Sequence, residues 1–249
     1  MPEKRKLEFH PSVTFAYSEE AKKFLMSVYD DGYRMKAYVG SANPIGGNPS
    51  FDKGDRGPED TLLREIKAEY DPDFQGPNGD TLVFGQKVSW ASPFDIKMIR
   101  TILVNESHPW EDFYVNFSNQ ILNNGKNGDP PGTGLYSVYY AEIPIELIEI
   151  VSFNLRNKKT ISNEGGCGVF SLDDLVKSEL GEFSIAHAAT PMFNKLFDVK
   201  VPFPKEVIVE SLGHKPGPSF KDYLNDFEYS RESPKPGRPS FHDVIFGKS

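Results

Sequence analysis

The sequence predicts an α/β domain in which helices cover a mixed β-sheet. Segments with apolar residues at helical spacing alternate along the chain with short apolar segments typical of strands. Hydrophobic residues make up 38% of the 249 residues and aromatic residues 13%, which is enough for a sizeable core. No internal repeat is visible, and the alternation of strands and helices favours a layered architecture.

The first half of the chain contains the most clearly marked helix. Its predicted elements are strands at Ser12–Tyr17, Tyr33–Val39, Thr81–Phe84 and Ile96–Val104, helices at Glu19–Tyr29 and Pro58–Tyr70, and a loop at Gly40–Gly57. Pro58 suits a first helical turn, where its missing N–H costs nothing. Glu59 and Asp60 suit the positive end of the helix dipole. Pro72 ends the helix.

The second half is predicted to return to the sheet and to finish in an extension. Its predicted elements are helices at Pro109–Asn124 and Ile185–Phe197, strands at Leu135–Pro144 and Gly168–Leu172, a loop at Asn123–Thr133, and a segment open between helix and strand at Glu146–Phe153. Pro191 should lie near the start of its helix or at a kink. We predict one domain over residues 1–200 with an insertion at about 93–133, followed by a Pro-rich extension over 201–249.

The composition limits which partners the protein is expected to bind and in which compartment it is expected to work. The formal net charge of −8 makes the chain a poor generic binder of nucleic acid or anionic membrane. No apolar run is long enough to span a membrane, and no apolar stretch follows the basic N-terminus, so we expect a cytoplasmic protein. The single Cys167 excludes an internal disulfide framework and is expected to be a small buried residue. A homodimer is the default assembly.

The predicted helix at Pro58–Tyr70 carries two carboxylates beside an apolar face. Glu65 and Glu69 are four residues apart, about 40° around the helix axis, and therefore project over the same patch of surface. They would repel each other unless a cation joined them. Mg²⁺ binds carboxylate and phosphate oxygens. An ordinary amphipathic helix with solvated charges is the alternative interpretation.

The loop before this helix supports the interpretation of Glu65 and Glu69 as metal ligands, because it contains a double glycine. Together the loop and helix resemble the Nudix box: Gly46-Gly47 match its opening glycines, Arg64–Lys67 match its Arg-Glu-aliphatic-x portion, and Glu69 matches the second residue of its Glu-Glu pair. Val169–Leu175 also resembles the strand end that precedes the closing helix of this family.

Three departures separate this chain from the family pattern. Ala68 stands where the first glutamate of the pair is expected, and Asp71-Pro72 replace the closing glycine and aliphatic residue. The segment between Gly47 and Arg64 is also longer than in the pattern. Asp55, one residue from the expected position of the loop acid, is the predicted substitute.

The resemblance implies a Nudix-type α/β/α sandwich and a pyrophosphohydrolase that cleaves a nucleoside diphosphate linked to another group, with Mg²⁺ or Mn²⁺ as cofactor. Glu65, Glu69 and Asp55 would bind the metal, and Arg64 would orient a carboxylate of the helix. Gly46 and Gly47 would approach the substrate. Glu164 is a candidate general base by its position before the last strand, with a simple turn residue as the alternative.

The departures leave two other functions open. Ala68 and the displaced loop acid favour a catalytically weakened or inactive Nudix-fold module that binds a nucleotide or a protein. The long extension over 201–249 favours a scaffold role. The substrate itself is not encoded in a recognisable motif.

Overall fold

An eight-stranded mixed sheet forms the centre of the protein. The structure is a computed structural model and describes residues 5–7, 10–29, 42–74, 80–83, 86–117, 132–163, 165–173, 189–200, 207–212 and 227–229. The strands are β1 (Arg5–Leu7), β2 (Ser12–Ser18), β3 (Lys23–Tyr29), β4 (Ala42–Asn43), β5 (Ile45–Gly47), β6 (Asp80–Val83), β7 (Gln86–Trp90), β8 (Ser107–Phe117), β9 (Gly132–Glu142), β10 (Lys159–Thr160), β11 (Gly165–Ser171), β12 (Val207–Ser211) and β13 (Phe227–Tyr229). The helices are α1 (Pro58–Glu69), α2 (Pro93–Glu106), α3 (Ile145–Arg156) and α4 (Ala189–Phe197).

The central sheet runs in the order β11, β3, β2, β9, β8, β12, with β4 beside β3 and β5 beside β2. β2 and β9 are parallel, whereas the other pairs in this sheet are antiparallel. β10, β7 and β6 form a separate three-stranded sheet, and β1 pairs with β13. The predicted mixed sheet is confirmed.

Helices cover both faces of the central sheet. Ile66 of α1, Leu103 of α2 and Val151 of α3 belong to one buried apolar cluster. Phe193 of α4 belongs to the other cluster, together with Phe15 of β2. The predicted α/β/α layering is therefore confirmed in the part of the chain that the structure describes. Among those residues, no helix has the length and apolar character needed to span a membrane.

Three predicted elements were wrong. Glu19–Tyr29 is not a helix: a turn at 19–22 leads into β3, in which successive residues are buried on both faces of the sheet. A strand covered on both faces presents a continuous apolar run, which mimics a helix. Ile96–Val104 is not a strand but the centre of α2, whose Ser92 side chain accepts a hydrogen bond from Asp95 N at 3.2 Å.

The predicted helix at Pro109–Asn124 is also wrong in its described part, which belongs to β8. The open segment Glu146–Phe153 is helical and lies in α3. The predicted helices Pro58–Tyr70 and, in its described part, Ile185–Phe197 are confirmed. The predicted strand Tyr33–Val39 lies outside the described residues.

The predicted domain limits stay a prediction, although two observations bear on them. β8 lies within the predicted insertion at about 93–133, yet it is part of the central sheet. β12 lies within the predicted extension over 201–249 and pairs with β8. At least these two segments therefore contribute to the same sheet as the rest of the domain.

Candidate functional site

The site begins at a fork between two strands of the central sheet. β2 and β3 pair only near the turn that joins them, through Ala16–Ser18. Beyond that point β5 pairs with β2 and β4 pairs with β3, so that residues 42–47 lie between the separating strands. We call this segment the fork; its last two residues are Gly46 and Gly47.

Both fork glycines lie in close contact with other residues. Gly46 has φ 139°, and a Cβ atom there would lie 2.2 Å from the backbone oxygen of Ser12. A Cβ atom on Gly47 would lie 2.8 Å from Cδ of Glu65. Because the atom near Gly46 belongs to the backbone, only glycine fits there, whereas a larger residue at Gly47 would require the flexible Glu65 side chain to move.

The two predicted carboxylates of α1 converge on these glycines. Oε1 of Glu69 accepts a hydrogen bond from Gly46 N at 3.4 Å, while the carboxyl group of Glu65 lies against the α-carbon side of Gly47. Glu69 is only 4% exposed and Glu65 is partly buried. Their spacing of four residues thus places both side chains over adjacent residues of the fork, as a helix requires.

A second predicted acid, Asp55, is engaged by the arginine of α1. Arg64 donates to Asp55 through Nε at 2.9 Å to Oδ1 and through Nη2 at 2.8 Å to Oδ2. Oδ2 of Asp55 also accepts from Ser50 N at 2.7 Å and from Thr61 Oγ1 at 3.1 Å. These contacts show that Asp55 holds the loop on α1, and its predicted role as a metal ligand stays a prediction.

Arg64 also connects the loop with Glu65. Its Nη2 donates to the backbone oxygen of Asn48 at 2.7 Å, and its Nη1 donates to Oε1 of Glu65 at 2.6 Å. The predicted orienting role of Arg64 toward a helix carboxylate is thus matched by a direct contact. Oε1 of Glu65 therefore lies between Arg64 and Gly47.

The electrostatics of the Asp55–Arg64 pair keep both groups charged. Burial alone would raise the pKa of Asp55, but hydrogen bonds and charge from Arg64, together with the donors of Ser50 and Thr61, lower it below its usual value. Burial would lower the pKa of Arg64, whereas Asp55 and Glu65 raise it. The Asp55–Arg64 ion pair therefore holds the loop between the fork and α1 against the helix.

Beneath Glu69 lies a buried polar group that the sequence did not reveal. Ser27 Oγ of β3 donates to Oε2 of Glu69 at 2.8 Å. Tyr70 Oη and Cys167 Sγ are 3.0 Å apart, and both side chains are buried. Cys167 is buried, as predicted, and burial raises its pKa to about 12. No local motif identifies Ser27, because its neighbours come from distant segments.

The candidate base Glu164 lies outside the described residues, so its role stays a prediction. Its neighbour Asn163 contacts the end of α1: Asn163 N donates to the backbone oxygen of Glu69 at 2.8 Å, and its side-chain nitrogen donates to the backbone oxygen of Ala68. This contact satisfies carbonyl groups that have no partner within the helix.

The donors at the fork suit a cation that needs few protein ligands. No group of three or more His, Cys, Asp or Glu side chains suited to a metal ion occurs among the described residues. Mg²⁺, however, commonly takes only one or two protein carboxylates, with water and substrate phosphates completing its shell. Glu65 and Glu69 supply that number beside Gly47, whose missing side chain makes room for the Glu65 carboxyl group. The residues therefore fit one hard divalent cation together with a phosphate.

Fold and site together define an α/β/α protein with an acidic helix directed at a glycine fork. No model of a known protein family matches the chain, and no curated protein matches it. Among solved structures it is similar to a MutT protein from Methanosarcina mazei Go1, at 12% identity and a TM-score of 0.38, over 78% of this chain and 95% of that one. So distant a likeness establishes no family for the chain.

Proposed function

We propose that this chain is a Nudix-type hydrolase that uses one divalent cation, Mg²⁺ or Mn²⁺, to cleave a diphosphate linkage in a nucleotide derivative. The observation that carries the proposal is the convergence of Glu65 and Glu69 on the fork glycines. In that arrangement the residues that match the Nudix pattern, the glycines, the helix carboxylates and the arginine, lie next to one another.

In this proposal the residues of the chain divide into ligands and supports. Glu65 and Glu69 would hold the cation, and Gly47, which has no side chain, makes room for the Glu65 carboxyl group. Arg64 and Asp55 hold the loop and the Glu65 carboxyl group in place. When bound, a divalent cation neutralises phosphate charge and acidifies water. Water adds to one phosphorus atom as the bond from that phosphorus to the bridging oxygen breaks, which gives two phosphate products.

The number of cations follows from the number of available carboxylates. Ala68 provides no ligand, and the oxygens of Asp55 are occupied by Arg64, Ser50 and Thr61. Of the three predicted metal ligands, Glu65 and Glu69 remain in this proposal. We therefore expect one cation per chain in the absence of substrate.

Incubation with nucleoside diphosphate sugars, dinucleotides and nucleoside triphosphates tests the activity, with Mg²⁺ or Mn²⁺ present or absent. We expect metal-dependent release of product, and a decrease of at least about tenfold in Glu69→Gln. Asp60→Asn is the matched control, because Asp60 lies on the same helix but faces the exposed Arg56. Absence of metal-dependent product, with Glu69→Gln unchanged, would refute a hydrolase.

A binding module is the second candidate function. It is favoured by Ala68 and by the two hydrogen bonds that Glu69 already accepts, from Ser27 and Gly46. Calorimetry with the same nucleotides distinguishes the candidates: binding without turnover supports the module, and absence of binding opposes its nucleotide form. Mass measurement in solution tests the predicted homodimer.

A further inference from the structure

A row of small polar residues crosses the central sheet beside the fork. Gly47 of β5 pairs with Ser12 of β2, Ser12 pairs with Ser137 of β9, and Ser137 pairs with Asp112 of β8. Residues paired directly across neighbouring strands point to the same face of a sheet. These four residues, which we call the polar row, therefore share one face of the central sheet.

The polar row lies on the face that α1 covers. A Cβ atom on Gly47 would point at the carboxyl group of Glu65, so the row faces the side of the sheet on which Glu65 lies. The next row on this face contains Ile45 and Tyr139, which belong to the same buried apolar cluster as Ile66 of α1. The polar row therefore adjoins both the apolar core under α1 and the proposed cation site.

Two hydroxyl groups of the row are buried without a partner in the protein. Ser12 is 1% exposed and Ser137 is 2% exposed. Neither Oγ atom has a hydrogen-bond partner within the part of the chain that the structure describes. A buried hydroxyl without a partner destabilises a fold, and such groups in native proteins commonly bind water, an ion or a ligand. Because neighbouring strands are only about 4.8 Å apart, one ligand group can contact both serines.

The order of the residues along the row indicates which part of a substrate fits it. Gly47 and Asp112 are three strand spacings apart, about 14 Å, and Gly47 is at the end beside Glu65. Serine hydroxyls both donate and accept hydrogen bonds, and a carboxyl oxygen accepts them. This set suits the hydroxyl groups of a sugar. The acidic Asp112 at the far end does not suit a second phosphate, because like charges repel.

We propose that the polar row is the subsite for the ribose of the substrate, in which the hydroxyl groups of Ser12 and Ser137 form hydrogen bonds with the sugar. This inference rests on the proposed function, which places the cation and the diphosphate at Glu65 and Glu69. It adds residues that bind the nucleoside part. Neither serine belongs to the Nudix pattern, and strand pairing alone brings both beside Gly47.

Binding of uncleavable ligands tests the ribose subsite. The probes are the α,β-methylene diphosphates of the four common ribonucleosides, their 2′,3′-dideoxy forms, and methylenediphosphonate, which has no nucleoside. Calorimetry with Mn²⁺ present should show that the wild type binds a ribose form most tightly. We expect Ser12→Ala and Ser137→Ala to bind that form roughly 3 to 10 times more weakly, the effect of one hydrogen bond. Both variants should bind the dideoxy form and methylenediphosphonate as the wild type does.

Ser107→Ala is the matched control. Ser107 pairs with Ala141, two rows from Ser137 on the same face of the sheet, and its hydroxyl donates to Thr14 Oγ1 at 3.2 Å. We expect this variant to keep the wild-type affinity for every ligand and to be less stable in urea. Ser12→Ala and Ser137→Ala should not lose stability, because the hydroxyl groups that they remove have no partner in the described part of the protein.

The outcomes separate this inference from the proposed function. If the wild type binds ribose and dideoxy forms equally, or if both serine variants bind the ribose form as tightly as the wild type, the ribose subsite is overturned and the cation site stands. Equal weakening for all three kinds of ligand, or a loss of stability without a loss of ribose affinity, also overturns it. If the wild type binds no ligand, methylenediphosphonate included, the proposed diphosphate site fails and the ribose subsite fails with it.

Discussion

Replacing Asp55 by asparagine should weaken the attachment of the loop before α1 to that helix and so destabilise the fold. The substitution keeps the shape of the side chain but removes its charge, and it places an amide NH₂ beside Arg64 and Ser50 N, which can only donate. Asp55 is 7% exposed, and it accepts hydrogen bonds from Arg64, Ser50 and Thr61. The asparagine amide can satisfy only part of this set, and the Arg64 guanidinium loses its counter-charge.

The magnitude follows from burial. Removing one partner of a fully buried ion pair costs roughly 3–5 kcal/mol, because the other charge is left uncompensated. The Arg64 side chain is 17% exposed and is also bound to Glu65, so part of its charge remains solvated or paired. We therefore expect Asp55→Asn to lower the free energy of unfolding by about 3 kcal/mol, toward the low end of that range.

Urea denaturation at neutral pH measures this loss. Asp60→Asn is the control, because it disrupts a similar carboxylate–arginine pair, with Arg56, at the surface of the same helix. Exposed pairs of this kind contribute little to stability. If both variants lost the same amount of stability, the argument that burial makes the Asp55–Arg64 ion pair stabilising would be refuted.

The pH dependence gives the same reasoning a second check. The pKa of Asp55 in the folded protein lies below its usual value of 3.8, so its contribution to stability is present above pH 3.8 and is lost as the pH falls through the lowered pKa. The difference in unfolding free energy between wild type and Asp55→Asn should therefore be constant near neutral pH and shrink below about pH 4. A difference that grows in acid would contradict this sign.

Three further predictions concern the fork and the core. Gly47→Ala places a methyl group 2.8 Å from Cδ of Glu65, so calorimetry should show weaker Mn²⁺ binding, and wild-type affinity would argue against a cation site here. Gly46→Ala clashes with backbone and requires an unfavourable φ, so we expect a large decrease in soluble, folded protein by circular dichroism. Leu103→Ala should lower the free energy of unfolding by roughly 2–5 kcal/mol in urea, whereas Phe94→Ala, at 72% exposure, should change it little. The opposite order would contradict the placement of α2.

Local signals predicted α1 well because they are contained within the helix itself. Pro58 marks the first turn, and the spacing of Glu65 and Glu69 determines which face they share. α2 carried comparable signals in Ser92-Pro93 and in buried residues three and four positions apart, but its apolar run also suits a strand. Periodicity alone does not separate these two cases for short segments.

Tertiary contacts decided what the sequence could not. β3 is a strand because it pairs with β2 on one side and β11 on the other, and nothing within Lys23–Tyr29 specifies those partners. The same holds for Ser27, which becomes part of the site only through its pairing with Cys167 and its contact with Glu69. Residues that act through another side chain carry no spacing pattern of their own.

Asp55 shows that an acid near the expected position can have other partners. Spacing placed a carboxylate in the loop, but the contacts of Arg64 determine what that carboxylate does. Because Arg64 balances the charge of Asp55, the negative charge directed at the fork comes from Glu65 and Glu69. Two such charges match one divalent cation, and the position of Ala68 adds none. Ala68 and the pairing of Asp55 with Arg64 are therefore consistent with each other: both reduce the acidic charge at the fork, as the single cation of the proposed function requires.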